Sequence, residues 1–246
     1  MDVRNRRVLI TGASRGLGRT LAFAFAKAGA REVFAGARKA EDFARLQSDA
    51  RAMGAAITPI KLDVTNHEDI HAAAGFGFID ILVNNAGVAG YGDPLQMNFE
   101  NALAEMNVNY FGALRMARAF APAMIEQRQG MIVNVATAFA KVNLPLVGTY
   151  CASKAALLSL GQALRAYLLD HGVHVMTVMP TTIDTDMSKG ADVPKMTKDF
   201  VAGEILRHIR EETIDPPIGE EAKGVLDGLL NDPVAMEKMI GKIRAV

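Results

Sequence analysis

The 246-residue chain carries a single cysteine, Cys151. No internal disulfide can staple it, and a reducing, cytoplasmic setting is the expectation. An excess of charge of one sign is missing as well. Lys plus Arg and Asp plus Glu both total 27, so nothing in the balance draws the chain to nucleic acid or to an anionic membrane. Long apolar runs are also lacking, because Gly, Asn or Asp interrupts each one before it reaches membrane-spanning length. The segment Met1–Arg7 leads straight into a short apolar strand, without the long apolar stretch and small-residue cleavage site of a secretory signal. No Ser/Pro-rich linker, repeat or low-complexity stretch divides the sequence. Hydrophobic residues make up 50% of it, ample for one core, and residues 1–246 are expected to form a single domain.

Short apolar runs alternate with longer amphipathic ones, the pattern of a parallel sheet with crossover helices. The runs are Val8–Thr11, Glu32–Ala37, Ile57–Leu62, Ile79–Asn84, Met131–Ala136 and Val173–Met179, with a weak seventh at Thr213–Pro216. Nearly continuous apolar stretches such as Ile81-Leu82-Val83 suit strands covered on both faces. Helical spacing marks Gly18–Gly29, Asn98–Arg128 and Tyr150–Leu169. The expected fold is α/β, a Rossmann-type doubly wound parallel sheet of about seven strands with helices on both faces. The tail, 218–246, is expected to be helical.

Directly after the first strand stands Thr11-Gly12-Ala13-Ser14-Arg15-Gly16-Leu17-Gly18, and a helix follows. A dinucleotide pyrophosphate needs backbone N–H groups that can approach it closely. Glycines permit the approach, and a helix N-terminus adds a favourable dipole. The spacing of Gly12, Gly16 and Gly18 resembles the T-G-x-x-x-G-x-G loop of the short-chain dehydrogenase/reductase family. That family places an acidic residue at the end of the second strand when it uses NAD. Here the sequence reads Ala37-Arg38, and Arg38 suits a 2′-phosphate that a carboxylate would repel. NADP(H) is therefore expected over NAD(H), with Arg15 able to contribute from the loop. By the same resemblance, Asp63 and Val64 would contact the adenine, and the Asn84-Asn85-Ala86-Gly87 turn would steady the sheet, with Asn85, Ala86 and Gly87 beside the cofactor. Ser14 and Leu17 complete the loop's own contacts.

Tyr150-Cys151-Ala152-Ser153-Lys154 sets a phenol and an ammonium on one helical face. Carbonyl reduction needs a proton at oxygen while hydride reaches carbon. A free phenol has a pKa of roughly 10, which a lysine cation nearby would lower. The order of phosphate loop, N-N-A-G turn and this pair matches the family. The resemblance implies Tyr150 as acid/base and Lys154 as its partner and a holder of the nicotinamide ribose. The family's serine, thirteen residues before the tyrosine, is here Thr137, whose extra methyl narrows the pocket. Asn107 is taken as the family's relay asparagine in preference to Asn109, because Val108 and Gly112 then fall in pattern. After the sixth strand, Pro180, Ile183 and Thr185 keep family positions as cofactor contacts, whereas Thr181 replaces the usual glycine.

His67-Glu68-Asp69-Ile70-His71 spells H-E-x-x-H, but it reads as a helix start capped by Thr65 or Asn66 rather than as a zinc site, and no metal is expected. Cys151 reads as a packing residue. Val88, Tyr91, Phe139, Leu144, Met187 and Met196 are expected to line an apolar pocket for a ketone, aldehyde or secondary alcohol. Met187–Lys198 reads as a lid over it. Family resemblance implies a homodimer, or a tetramer, through the helices of Asn98–Arg128 and Tyr150–Leu169. The alternative function, a dinucleotide-binding redox sensor without turnover, has no need of Thr137, Tyr150 and Lys154 together.

Overall fold

The computed structural model describes residues 1–243; the last three residues of the tail lie outside the described residues. Among the described residues, seven parallel strands form one sheet in the order β3-β2-β1-β4-β5-β6-β7. They are β1 (Arg7–Ile10), β2 (Glu32–Ala37), β3 (Ile57–Lys61), β4 (Ile81–Asn84), β5 (Gly130–Val135), β6 (Val173–Pro180) and β7 (Pro217–Ile218). Parallel strands need crossovers, supplied by α1 (Gly16–Lys27), α2 (Ala40–Ala52), α3 (His67–Ala74), α4 (Phe99–Glu105), α5 (Ala113–Glu126), α6 (Gly148–Leu168) and α7 (Lys198–Glu211). The chain then adds α8 (Glu220–Asn231) and α9 (Pro233–Ile240). No helix among the described residues is long and apolar enough to cross a membrane.

Alternation along each strand feeds two cores. Val8, Ile10, Val33 and Val83 face α1 and α7, where Leu21, Phe25, Val201 and Ile205 meet them. Leu9, Phe34, Leu82 and Ile132 face the other layer, against Met116, Phe120 and Met124 of α5. Phe25 is fully buried, and removing a side chain of that size from water contributes about 1.5–3 kcal/mol. Strand order reverses between β1 and β4, the switch point at which the carboxyl ends of the strands leave a crevice.

Two elements differ from the expectation. The seventh strand lies at Pro217–Ile218, paired with Met179 and Pro180, and not at Thr213–Pro216. That segment turns instead. Asp215 adopts a left-handed φ of 46°, and its carboxylate accepts from Arg165 at 2.8 and 2.7 Å and from the Thr177 N–H at 3.0 Å. The single helix expected over Asn98–Arg128 is divided into α4, a π-helical segment at Met106–Gly112 and α5. α3 is only eight residues long, as the short stretch before β4 requires. Its cap is Asn66, whose side chain accepts from the Asp69 N–H, and His67 and His71 are both exposed on it.

Candidate active site

At the carboxyl ends of the strands lies a cavity of about 790 Å³. Its first wall is the loop after β1. Gly12 and Gly16 have φ of 65° and 55°, a conformation costly for residues with a Cβ. A Cβ on Gly12 would stand 2.8 Å from Ala86 Cα, and one on Gly18 would collide with the Gly12 carbonyl and the Asn85 amide. The loop therefore packs tightly against the turn after β4. Thr11 Oγ1 accepts from the N–H groups of Asn85 and Ala86, each at 3.0 Å, and Asn85 Nδ2 donates to the Thr11 carbonyl at 2.9 Å. α1 then begins at Gly16 behind an extended Arg15 with no side-chain cap. Its leading N–H groups face the cavity without a protein acceptor from a cap, which suits an anion. A dinucleotide pyrophosphate fits this arrangement.

Every expected cofactor residue lines this one cavity: Gly12, Ser14, Arg15, Gly16, Leu17 and Gly18 of the loop, Arg38 past β2, and Asp63 and Val64 past β3. Asn85, Ala86 and Gly87 line it from the turn after β4, Pro180 from the last position of β6, and Ile183 and Thr185 from beyond it. Arg38 is exposed at the mouth. Arg15 lies 3.5 Å from Asp186 of the opposite loop. Arg45 donates to the Ser14 carbonyl at 3.0 Å and so braces the loop from outside the cavity lining.

Thr137, Tyr150 and Lys154 line the same cavity. Lys154 is buried, with Nζ 5.8 Å from the centroid of the Tyr150 ring, and donates to the Val135 carbonyl at 2.8 Å. Burial pulls its pKa down to about 8. The Tyr150 phenol is pushed up, first by burial and then by Cys151, Tyr91 and Glu105. The direction is opposite to the lowering expected from Lys154, and burial is its largest cause. Thr137 Oγ1 donates to the Pro180 carbonyl at 2.9 Å and accepts from the Phe139 N–H at 3.3 Å, which ties the end of β5 to the end of β6.

Asn107 is the correction. Its Oδ1 accepts from Arg115 at 2.9 Å on the outer side, and it does not line the cavity. The buried residue is Asn109. Its amide exchanges two hydrogen bonds with the Val88 backbone, both 2.9 Å, and donates to Ser153 Oγ at 2.8 Å. A Cβ on Gly87 would lie 3.3 Å from Asn109 Oδ1 and 3.4 Å from Lys154 Nζ, so these two groups converge behind the turn. The π-helical segment rotates the face that regular spacing would assign.

Val88, Tyr91, Phe139, Leu144 and Met187 line the cavity as expected. Met196 does not. It pairs with Ile183 in an isolated bridge and packs on the sheet core. The segment after β6 that was expected to act as a lid, Met187–Lys198, is tied to Tyr91, whose hydroxyl donates to the Met187 carbonyl at 2.9 Å. Glu221 and Ile243 of the C-terminal segment also line the chamber, although nothing in their local sequence pattern points there.

A doubly wound sheet with an uncapped, glycine-shaped anion loop and a Tyr/Lys pair in one chamber defines a nucleotide-dependent oxidoreductase architecture. The family profile described as short chain dehydrogenase matches residues 6–194. Over 202 residues the chain is 36% identical to short chain dehydrogenase pigC of Monascus ruber, covering 78% of this chain and 67% of that protein. It is 37% identical over 190 residues to galactitol 2-dehydrogenase of Agrobacterium fabrum, covering 75% and 73%. A crystal structure of a short chain dehydrogenase from Burkholderia cenocepacia J2315 in complex with NADP superposes with a TM-score of 0.90 at 37% identity, covering 98% of this chain and 99% of that one. The chain belongs to the short-chain dehydrogenase/reductase family, and it is an oxidoreductase of that family with a nicotinamide dinucleotide as cofactor.

Proposed function

We propose that the protein is an NADP(H)-dependent carbonyl reductase or alcohol dehydrogenase, its whole chain one dinucleotide-binding domain that acts on a mainly apolar ketone, aldehyde or secondary alcohol. The observation that carries this reading is the sharing of one cavity by the anion loop, Arg38, Thr137, Tyr150 and Lys154. When bound, the cofactor supplies or accepts hydride at the substrate carbon. The NADP complex of the Burkholderia relative supports the choice of dinucleotide, as does Arg38 in the cavity lining. Gly12, Gly16 and Gly18 would admit the pyrophosphate, and Pro180, Ile183 and Thr185 would border the nicotinamide.

Tyr150 would give its phenolic proton to the carbonyl oxygen, or take it from the alcohol in reverse. Lys154, released from the Val135 carbonyl or shared with it, would stabilise the phenolate left behind. Asn109, which converges with Lys154 behind Gly87, would help to position it. Thr137 Oγ1 would orient the substrate oxygen by exchanging its bond to Pro180 for one to the substrate. The segment Met187–Lys198, tied to Tyr91, would cover the substrate and exclude water from the reacting carbon. Exposed Phe99, Leu103 and Phe111 on α4 and the π-helical segment support a homodimer through that face.

The test is loss of NADPH absorbance with a panel of apolar ketones and aldehydes. Tyr150→Phe is expected to lower kcat by about 10²–10⁴-fold, the worth of a positioned acid, while dinucleotide binding persists. Equal turnover by wild type and variant would remove Tyr150 from the mechanism.

A further inference from the structure

Part of the chamber's polar lining comes from the far end of the described residues. α8 starts after Gly219, whose φ of 85° turns the chain inward. Ala222 and Val225 of α8 and Met236 and Ile240 of α9 then pack on Ala138, Phe139, Val142 and Cys151. This small core fixes the helix pair against the segment that carries Thr137 and Tyr150. It also places Glu221 in the chamber lining. Thr181, only 6% exposed, donates its hydroxyl to Glu221 Oε2 at 2.7 Å. Thr181 directly follows Pro180, whose carbonyl accepts from Thr137. The carboxylate is thus linked by two hydrogen bonds and one peptide unit to the Thr137 hydroxyl.

An acid in the first turn of a helix is often there only for the dipole. Glu220 fills that role and pairs with Lys223 at 2.6 Å, whereas Glu221 is turned to a buried hydroxyl. A carboxylate offers about four lone-pair sites and no donor. One hydrogen bond from Thr181 leaves acceptor capacity for an O–H or N–H of a ligand. Lys189 also lines the chamber and is exposed, as Glu221 is; what sets Glu221 apart is that its side chain is held in place by the buried Thr181 hydroxyl.

We propose that Glu221, held by Thr181, determines specificity: it receives a hydrogen-bond donor at the end of the substrate remote from the carbonyl and rejects a carboxylate there. This rests on the carbonyl-oxidoreductase reading above. It narrows the substrate class to carbonyl compounds that carry no anionic group, with apolar bodies and a distal hydroxyl or ammonium. It also gives Thr181, the departure from the family's glycine, a purpose that glycine could not serve.

A matched pair tests it: 5-hydroxy-2-pentanone and 4-oxopentanoate, equal in length, with 2-pentanone as the reference against which both are read. Two readouts are taken on the NADPH-loaded protein: kcat/KM, and the change in bound-NADPH fluorescence on ligand addition, which needs no turnover. Wild type is expected to favour the hydroxyketone by about tenfold or more, and Glu221→Gln to shrink that ratio by about tenfold, mostly by admitting the acid. Thr181→Val, which frees the carboxylate from its anchor, is expected to move the ratio the same way by less, and it carries the test if the glutamine variant does not fold. An unchanged ratio in both variants, or no discrimination by wild type in either readout, overturns the proposal. Discrimination by fluorescence without turnover of any of the three would instead sink the reductase reading and leave Glu221 as the selector.

Discussion

At one end of the chamber, Gly12, Gly16, Gly18 and the Asn85-Ala86-Gly87 turn come from two neighbouring strand ends and are locked by backbone contacts. At the other end, Thr137, Thr181, Glu221 and Ile243 arrive from three distant segments and meet through side chains. A phosphate is bound largely by main-chain N–H groups, and the few backbone shapes that present them demand glycine at fixed places. A substrate wall has no such demand. Any side chain of suitable size and polarity serves, so the two ends obey different constraints within one cavity.

The sharpest way to break the comparison is at Gly18. In Gly18→Ala the methyl would run into the Gly12 carbonyl and the Asn85 amide, both fixed backbone or clamped side chain with little room to give. We expect a loss of about 1–3 kcal/mol in stability from overpacking and NADPH binding weaker by about 100-fold, read by thermal melting and by titration. A variant that melts and binds like wild type would mean that the loop is softer than its contacts imply.

Legibility in the sequence followed the same division. Six strands and the phosphate loop stood out because buried parallel strands and glycine-dependent turns leave local patterns. Tyr150 and Lys154 stood out because helical spacing sets them on one face. Asn107 was preferred to Asn109 because Val108 and Gly112 then fell in the family's pattern, a match of letters that carries no information on which asparagine the π-helical segment turns inward. The two-residue β7 is too short to show alternation, and the neighbouring Thr213–Pro216 looked more strand-like than the turn that Asp215 makes of it. Glu221 was invisible because its partner, Thr181, lies 40 positions away.

A smaller effect sharpens the comparison at the chemical centre. Burial holds Lys154 near 8 in the cofactor-free fold, against 10.5 when free. Between those values the unfolded chain binds more protons than the folded one, so stability rises with pH across the window and the gain is lost again as pH falls through 8. The window closes above about 10, where Tyr150, pushed up by burial, begins to ionise first in the unfolded chain. Denaturant unfolding of the cofactor-free protein at pH 8 and pH 10 should show about 1–2 kcal/mol of this gain. Lys154→Met should lack it. The same rise in both proteins would assign the effect to other groups.

The most direct test of the account is an equilibrium titration with NADPH and NADH, for wild type and Arg38→Glu side by side. Hydrogen bonds to a charged group are worth about 1.5–3 kcal/mol. Wild type should therefore bind NADPH about 10–100-fold more tightly than NADH, and the variant should lose or invert that preference. Equal affinities in wild type, or a preference that survives Arg38→Glu, would contradict the assignment of this end of the chamber to a 2′-phosphate.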